Sequence, residues 1–167
     1  MRKIVVLGAA AVALYAGTSN HGVPVASSTA RASGAAGTAI SYARQQLGKP
    51  YIWGGTGPDG YDCSGLVMMA YQSAGVSVPR TSQDQWASVS EPHVSTPEPG
   101  DVVFFAGSDG TRSAPGHEGL VIGPNQMIEA YATGYSIRVS TFGLPTSPPG
   151  DQDPVGFTDP AASGKAA

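Results

Sequence analysis

At Asp101 the recurrence of apolar residues changes period, and this limits the folds open to the chain more than any other feature. Upstream, Ile40, Ala43 and Leu47 share a helical face that stops at Gly48 and Pro50, predicting an amphipathic helix that ends before Pro50. A second helix is expected to start at or just before Cys63, which then lies in its first turn. Leu66, Met69, Ala70 and Ser73 follow at i, i+3, i+4 and i+7, and Gly75 supplies the stop. Residues 82–89 read as a short third helix, with Thr81 or Ser82 as cap and Asp84 favouring the amino end. Downstream of Asp101 the segments 102–106, 117–122, 126–130 and 137–141 read as strands, each bounded by Gly, Pro, Asn or Ser. Helices first and strands afterwards predict an α+β layer structure, with N-terminal helices packed on an antiparallel sheet.

The remaining segments set the expected domain limits. Arg2 and Lys3 precede an apolar stretch over residues 4–16, the pattern of an export signal, and the stretch is too short to span a bilayer comfortably. Residues 1–17 are therefore expected to be a signal peptide, with an uncleaved anchor as the competing reading. Residues 18–37, rich in Ser, Ala and Gly, read as a flexible tether. Residues 38–142 form the expected domain, and the Pro- and Gly-rich residues 143–167 a mostly disordered tail in which 155–157 could add an edge strand. The formal charge is -3, and losing Arg2 and Lys3 with the leader would take it to -5. That is not the basic footprint of a nucleic-acid binder. The expectation is a monomer with no stable membrane insertion after leader cleavage.

Export makes the single cysteine informative, because an odd thiol in a secreted chain either pairs with another chain or is kept for its reactivity. A thiol is activated by a helix amino terminus or a neighbouring imidazolium. Cys63 has the first by position, although a free Cys is as often a small buried hydrophobe. Of the three histidines, His21 falls in the leader or tether and His93 in a Pro-flanked loop, whereas His117 opens a strand after a Gly- and Pro-containing loop. If residues 123–125 form a three-residue hairpin loop, partners across the hairpin sum to 248 and Gly119 opposes Glu129. His117, Gly119, Glu129 and Tyr131 then share a face, and His117 is the diagonal neighbour of Glu129. Glu118 points the other way. A one-residue slip would reverse the assignment. A carboxylate at Glu129 is expected to accept the Nδ1 proton of His117 and leave Nε2 facing Cys63. No metal site is expected, since one cysteine and scattered histidines lack zinc-ligand spacing. Gly54, Gly55 and Gly57 lack the Gly-Lys-Ser or Gly-Lys-Thr of a phosphate loop.

The run GKPYIWGGTGPDGYDCSGLVMMAYQSAGVSVPRTSQDQ, followed by PGDVVFF and GHEGLVIGPNQMIEA, closely resembles the NlpC family of cell-wall cysteine peptidases. The resemblance spans about residues 38–142 and implies a compact papain-like fold. It implies Cys63 as nucleophile, His117 as base and Glu129 at the histidine-orienting position, which is variable in that family. Tyr51 is implied near the oxyanion and substrate site, and Asp62 and Ser64 beside the substrate's free amine. No cofactor is implied. The partner would be the peptidoglycan stem peptide, cut between D-glutamate and the following diamino acid. An amidase that frees the stem from the sugar, an acyl transferase, and a non-catalytic wall-binding module with Tyr51, Trp53 and Tyr131 as a stacking surface are the alternatives.

Overall fold

The computed structural model describes residues 26–88 and 91–165. The expected signal peptide and the first part of the expected tether lie outside the described residues. Three helices, α1 (Ala26–Gln45), α2 (Cys63–Ser73) and α3 (Ser82–Ala87), precede a sheet of six strands. The strands are β1 (His93–Val94), β2 (Val102–Phe105), β3 (His117–Gly123), β4 (Gln126–Glu129), β5 (Arg138–Thr141) and β6 (Gly156–Thr158). Every pairing is antiparallel, in the order β1-β6-β2-β3-β4-β5. Among the described residues no helix is long and apolar enough to cross a membrane.

The α+β expectation describes this architecture, while both ends of the expected domain need correction. Residues 26–37, read as tether, are the first half of α1. Its buried stripe is Ala36, Ala39 and Ala43, and Leu47 lies beyond the helix and is 38% exposed. The helix thus turns its smallest residues inward, which lets α1 approach α2 closely. Ala36 also receives Gly100, where a Cβ would collide with the Ala36 side chain. The tail is likewise ordered over most of its length. β6 is hydrogen-bonded between β1 and β2, so it is not an edge strand, and a 3-10 helix (Pro160–Lys165) lies against α1.

Alternation along the strands divides the core. Val102, Phe104, Leu120 and Ile128 face α1 and α2, packing with Leu66, Val67, Ala70 and Tyr71. On the opposite face Val103, Phe105, Val121 and Met127 are closed over by Phe142 and Phe157 from the C-terminal segment. The segment read as a disordered tail therefore shields a face that would otherwise lie in water.

The β3–β4 hairpin reaches the expected register by a different route. Leu120 pairs with Ile128 and Val121 with Met127, but Gly123 pairs with Gln126. The loop is two residues, with Asn125 left-handed at φ 53°, and Ile122 is an extra, bulged residue. One residue fewer in the loop and one more in the strand cancel, so Glu129 keeps its expected face.

Candidate active site

α2 starts where Asp62 caps it. The Asp62 side chain accepts from Gly65 N–H at 2.7 Å and from Gly54 N–H at 3.0 Å, which joins the helix start to the glycine-rich loop. A Cβ on Gly65 would collide with the Gly55 carbonyl, so only glycine lets the loop lie on the first turn. This packing fixes Cys63 at the first helical position. There its own N–H belongs to the group that finds no partner within the helix.

His117 enters from the start of β3. Its Nε2 lies 2.8 Å from Glu129 Oε2 on β4, and its ring also interacts with Cys63. The ring is turned opposite to the sequence expectation: Nε2, the far nitrogen, reaches the neighbouring strand, and Nδ1 is left for Cys63. Phe105 stacks on the imidazole at 5.8 Å between centroids, and Tyr131 meets it edge-on at 5.7 Å. These two rings and the Glu129 bond restrict rotation of the ring. Burial alone would lower the pKa of His117, but the bonds to Cys63 and Glu129 and the charges behind them outweigh it, pushing the value up to about 10.

Glu129 is fully buried and held by a residue the sequence reading missed. Arg138, its direct partner across β4 and β5, donates from Nε to Oε1 at 2.9 Å and places Nη2 2.8 Å from the same oxygen. The Arg138 guanidinium is itself placed over Tyr131, 4.5 Å from the ring centroid. Burial would raise the pKa of Glu129, yet His117 and Arg138 together hold it below the usual carboxylate value.

The remaining residues stand around the same cleft, about 1310 Å³ in volume, which exceeds the range usual for small-molecule pockets and suits an extended peptide. Tyr51, Asp62, Ser64, Cys63 and His117 all line it and Glu129 stands behind His117, so the structure brings every candidate named from the sequence to one place. Burial, reinforced by Cys63 and Asp62, raises the Tyr51 phenol to about 12, so at neutral pH it is an O–H donor. Arg80 ties Asp62 and Ser64 together, with Nη2 2.7 Å from Asp62 Oδ2 and Nη1 3.0 Å from Ser64 Oγ. Trp53, 76% exposed, forms part of the rim.

Two buried acids and one histidine complete the surroundings. Glu118 points away from His117, as alternation requires, and is fully buried with neither carboxylate oxygen hydrogen-bonded. Burial raises its pKa well above the usual carboxylate value. Asp151, from the segment expected to be disordered, also lines the cleft, and burial pushes it up to about 7 with the Glu129 charge adding to the effect. His93 belongs to β1, outside the cleft lining, with its ring edge-on to Trp86 at 4.1 Å.

The assembly lines up a thiol, an imidazole and a carboxylate at the wall of an open cleft, with the imidazole hydrogen-bonded to the carboxylate. Such a line supports nucleophilic attack with proton transfer. Known proteins share both the sequence and the fold. Residues 48–146, more than half of the chain, match the NlpC/P60 family model. The protein named probable endopeptidase p60 of Listeria welshimeri is 43% identical over 95 residues, 57% of this chain and 17% of that protein. The chain thus spans only about a fifth of the length of the curated relatives it matches. An NlpC/P60 family protein from Bacillus cereus superposes with a TM-score of 0.63 at 30% identity, covering 73% of this chain and 39% of that one. The peptidoglycan hydrolase RipB of Mycobacterium tuberculosis superposes with a TM-score of 0.59, also at 30% identity, covering 78% of this chain and 66% of RipB. These likenesses extend to the papain-like α+β fold, and with a family match over more than half its length the chain belongs to the NlpC/P60 family.

Proposed function

We propose that this protein is a cysteine endopeptidase that hydrolyses an amide bond in peptidoglycan stem peptides, between D-glutamate and the following diamino acid. The observation that carries the reading is the line of Cys63, His117 and Glu129 beside the cleft, with His117 hydrogen-bonded to Glu129 and interacting with Cys63. Family membership and the likeness to the peptidoglycan hydrolase RipB point to the same substrate class. The charged apolar segment at residues 1–17 supports action outside the cell, on the wall.

The chemistry follows from the geometry. Cys63 as thiolate attacks the scissile carbonyl while His117 carries a proton on each ring nitrogen. The developing oxyanion is met by the backbone N–H of Cys63 and by the Tyr51 hydroxyl. The Nδ1 proton then passes to the leaving amine, and the neutral ring removes a proton from the water that releases the acyl group. Through this cycle Glu129 keeps the Nε2 proton and its charge favours the imidazolium. Asp62 and Ser64, held in place by Arg80, are the proposed contacts for the free amine of the substrate.

Digestion of purified peptidoglycan with wild type and with Cys63→Ala, followed by fragment masses, tests the proposal. Stems that end at D-glutamate, formed only by wild type, are the expected products. Whole stems freed from sugar would make the protein an amidase, and cleavage unaffected by Cys63→Ala would overturn the nucleophile. Wall binding with no cleavage would make it a binding module.

A further inference from the structure

Behind His117, Asp151 completes a cluster that the hydrolysis just described does not use. Asp151 is carried by a turn closed by its N–H to Pro148 O at 3.0 Å and by Gly143 N–H to its own carbonyl at 2.9 Å. Its side chain is 1% exposed, and neither carboxylate oxygen has a hydrogen-bond partner. One donor atom each from His117, Glu129 and Asp151 lies within 4.8 Å of the others. We propose that these three side chains form a binding site for a divalent transition cation, best fitted by Zn2+, and that its occupancy reversibly inhibits the hydrolysis.

The donor set selects the ion. One imidazole nitrogen with two carboxylate oxygens suits a borderline cation, whereas Ca2+ and Mg2+ seek six or more oxygens. Bonds of about 2.0–2.2 Å in a tetrahedron need donors about 3.4 Å apart, so Asp151 closes in without breaking a side-chain hydrogen bond while Nε2 and Oε2, now 2.8 Å apart, open slightly as the ion replaces the proton between them. The cleft reaches both His117 and Asp151, which gives the ion an entry path. Arg138 occupies Oε1 of Glu129 and leaves Oε2 for the ion, but its charge opposes a cation. That repulsion makes the ion a reversible inhibitor and not a resident cofactor.

Inhibition follows from proton placement. Zn2+ takes the position of the Nε2 proton, which leaves to solvent, and the ring keeps only its proton on Nδ1. A neutral, metal-bound imidazole is a far weaker acid than an imidazolium, so the leaving amine is no longer protonated.

The test uses the full chain and ZnCl2 or CoCl2. Calorimetric titration of Cys63→Ala should show one Zn2+ per chain, and adding Asp151→Asn should weaken binding at least about tenfold, the lower end of the loss that even outer-shell changes cause. The Co2+ spectrum of wild type should lack a thiolate charge-transfer band. Zn2+ should inhibit wild-type hydrolysis, chelator should restore it, and Asp151→Asn, compared with its own metal-free rate, should need at least about ten times more Zn2+. The inhibition arm rests on the proposed peptidase reading and the binding arm does not, so the two can fail separately. Equal Zn2+ affinity with and without Asp151→Asn, or a thiolate band with no binding to Cys63→Ala, would place the ion on Cys63 and overturn the site. If Asp151→Asn does not fold, Cys63→Ala alone decides: no heat and no Co2+ spectrum at metal concentrations that inhibit wild type overturns the proposal.

Discussion

Replacing Glu91 with Gln should stabilise the protein at pH 8 and do much less at pH 4.5. Glu91 has no solvent exposure, its Oε1 has no hydrogen-bond partner, and Thr158 Oγ1 donates to Oε2 at only 3.4 Å. Burial raises its pKa from 4.5 to about 7, against the small lowering from Thr158. The folded state therefore keeps a proton that the unfolded chain releases above its ordinary carboxylate value. This contribution is full below about 4.5, falls as pH rises to about 7, and is flat beyond, with a total change of about 3 kcal/mol at about 1.4 kcal/mol per pH unit. Gln has a similar shape and does not titrate, so the variant lacks this slope. Urea unfolding of both proteins at pH 4.5 and pH 8 measures the difference between the two gaps, and any pH-independent cost of the amide cancels. Asp101, raised to about 6 by burial, titrates equally in both proteins and cancels too. An equal stability gap at the two pH values would show that Glu91 is ionised in the fold and would refute the reasoning.

Cys63→Ala should still unfold cooperatively in urea while hydrolysis is lost, since the side chain lies at the cleft and outside the main core cluster. Glu129→Gln should retain more turnover than Glu129→Ala, because the amide oxygen still accepts from Nε2 while the charge is gone; equal near-wild-type rates would remove Glu129 from the mechanism. In Glu129→Gln the His117 titration, followed by NMR, should move down from about 10, because the carboxylate charge that favours the imidazolium is gone. Gly65→Ala should cost more than about 2 kcal/mol in urea unfolding, because its Cβ meets the backbone of Gly55, and a milder effect would mean that the glycine-rich loop shifts freely.

The sequence was most legible where side chains are large and alternation is long. α2 and α3 begin at the expected residues, and the hairpin register survived a wrong loop length because a bulge compensates. α1 was underestimated because Ala36 and Ala39 bury small side chains that leave no apolar period. β1 and β6, of two and three residues, are too short for alternation to register. Asp151 arrives on a Pro- and Gly-rich segment whose composition resembles disorder, and it is fixed by backbone hydrogen bonds to Pro148 and Gly143 in a segment anchored by Phe142 and Phe157 on the sheet. Arg138 was hidden because the connection from β4 to β5 is long enough to permit several registers. Which nitrogen of His117 faces Cys63 depends on a ring rotation that composition and spacing do not encode.

The position of β6 governs when the protein can finish folding. Val102–Phe105 pairs on one side with β3, its next strand in the chain, and on the other with residues 156–158, which are made more than fifty residues later. Until that late strand arrives, β2 presents open N–H and C=O groups and β1 has no neighbour. A nascent chain stalled before Gly156 would hold every residue of the Cys63–His117–Glu129 line and still expose a sheet edge able to capture another chain. Synthesis of the last strand is therefore the step that separates a sticky intermediate from a finished molecule, and shortening the chain by even a dozen residues should send it into aggregates before any loss of chemistry could be measured.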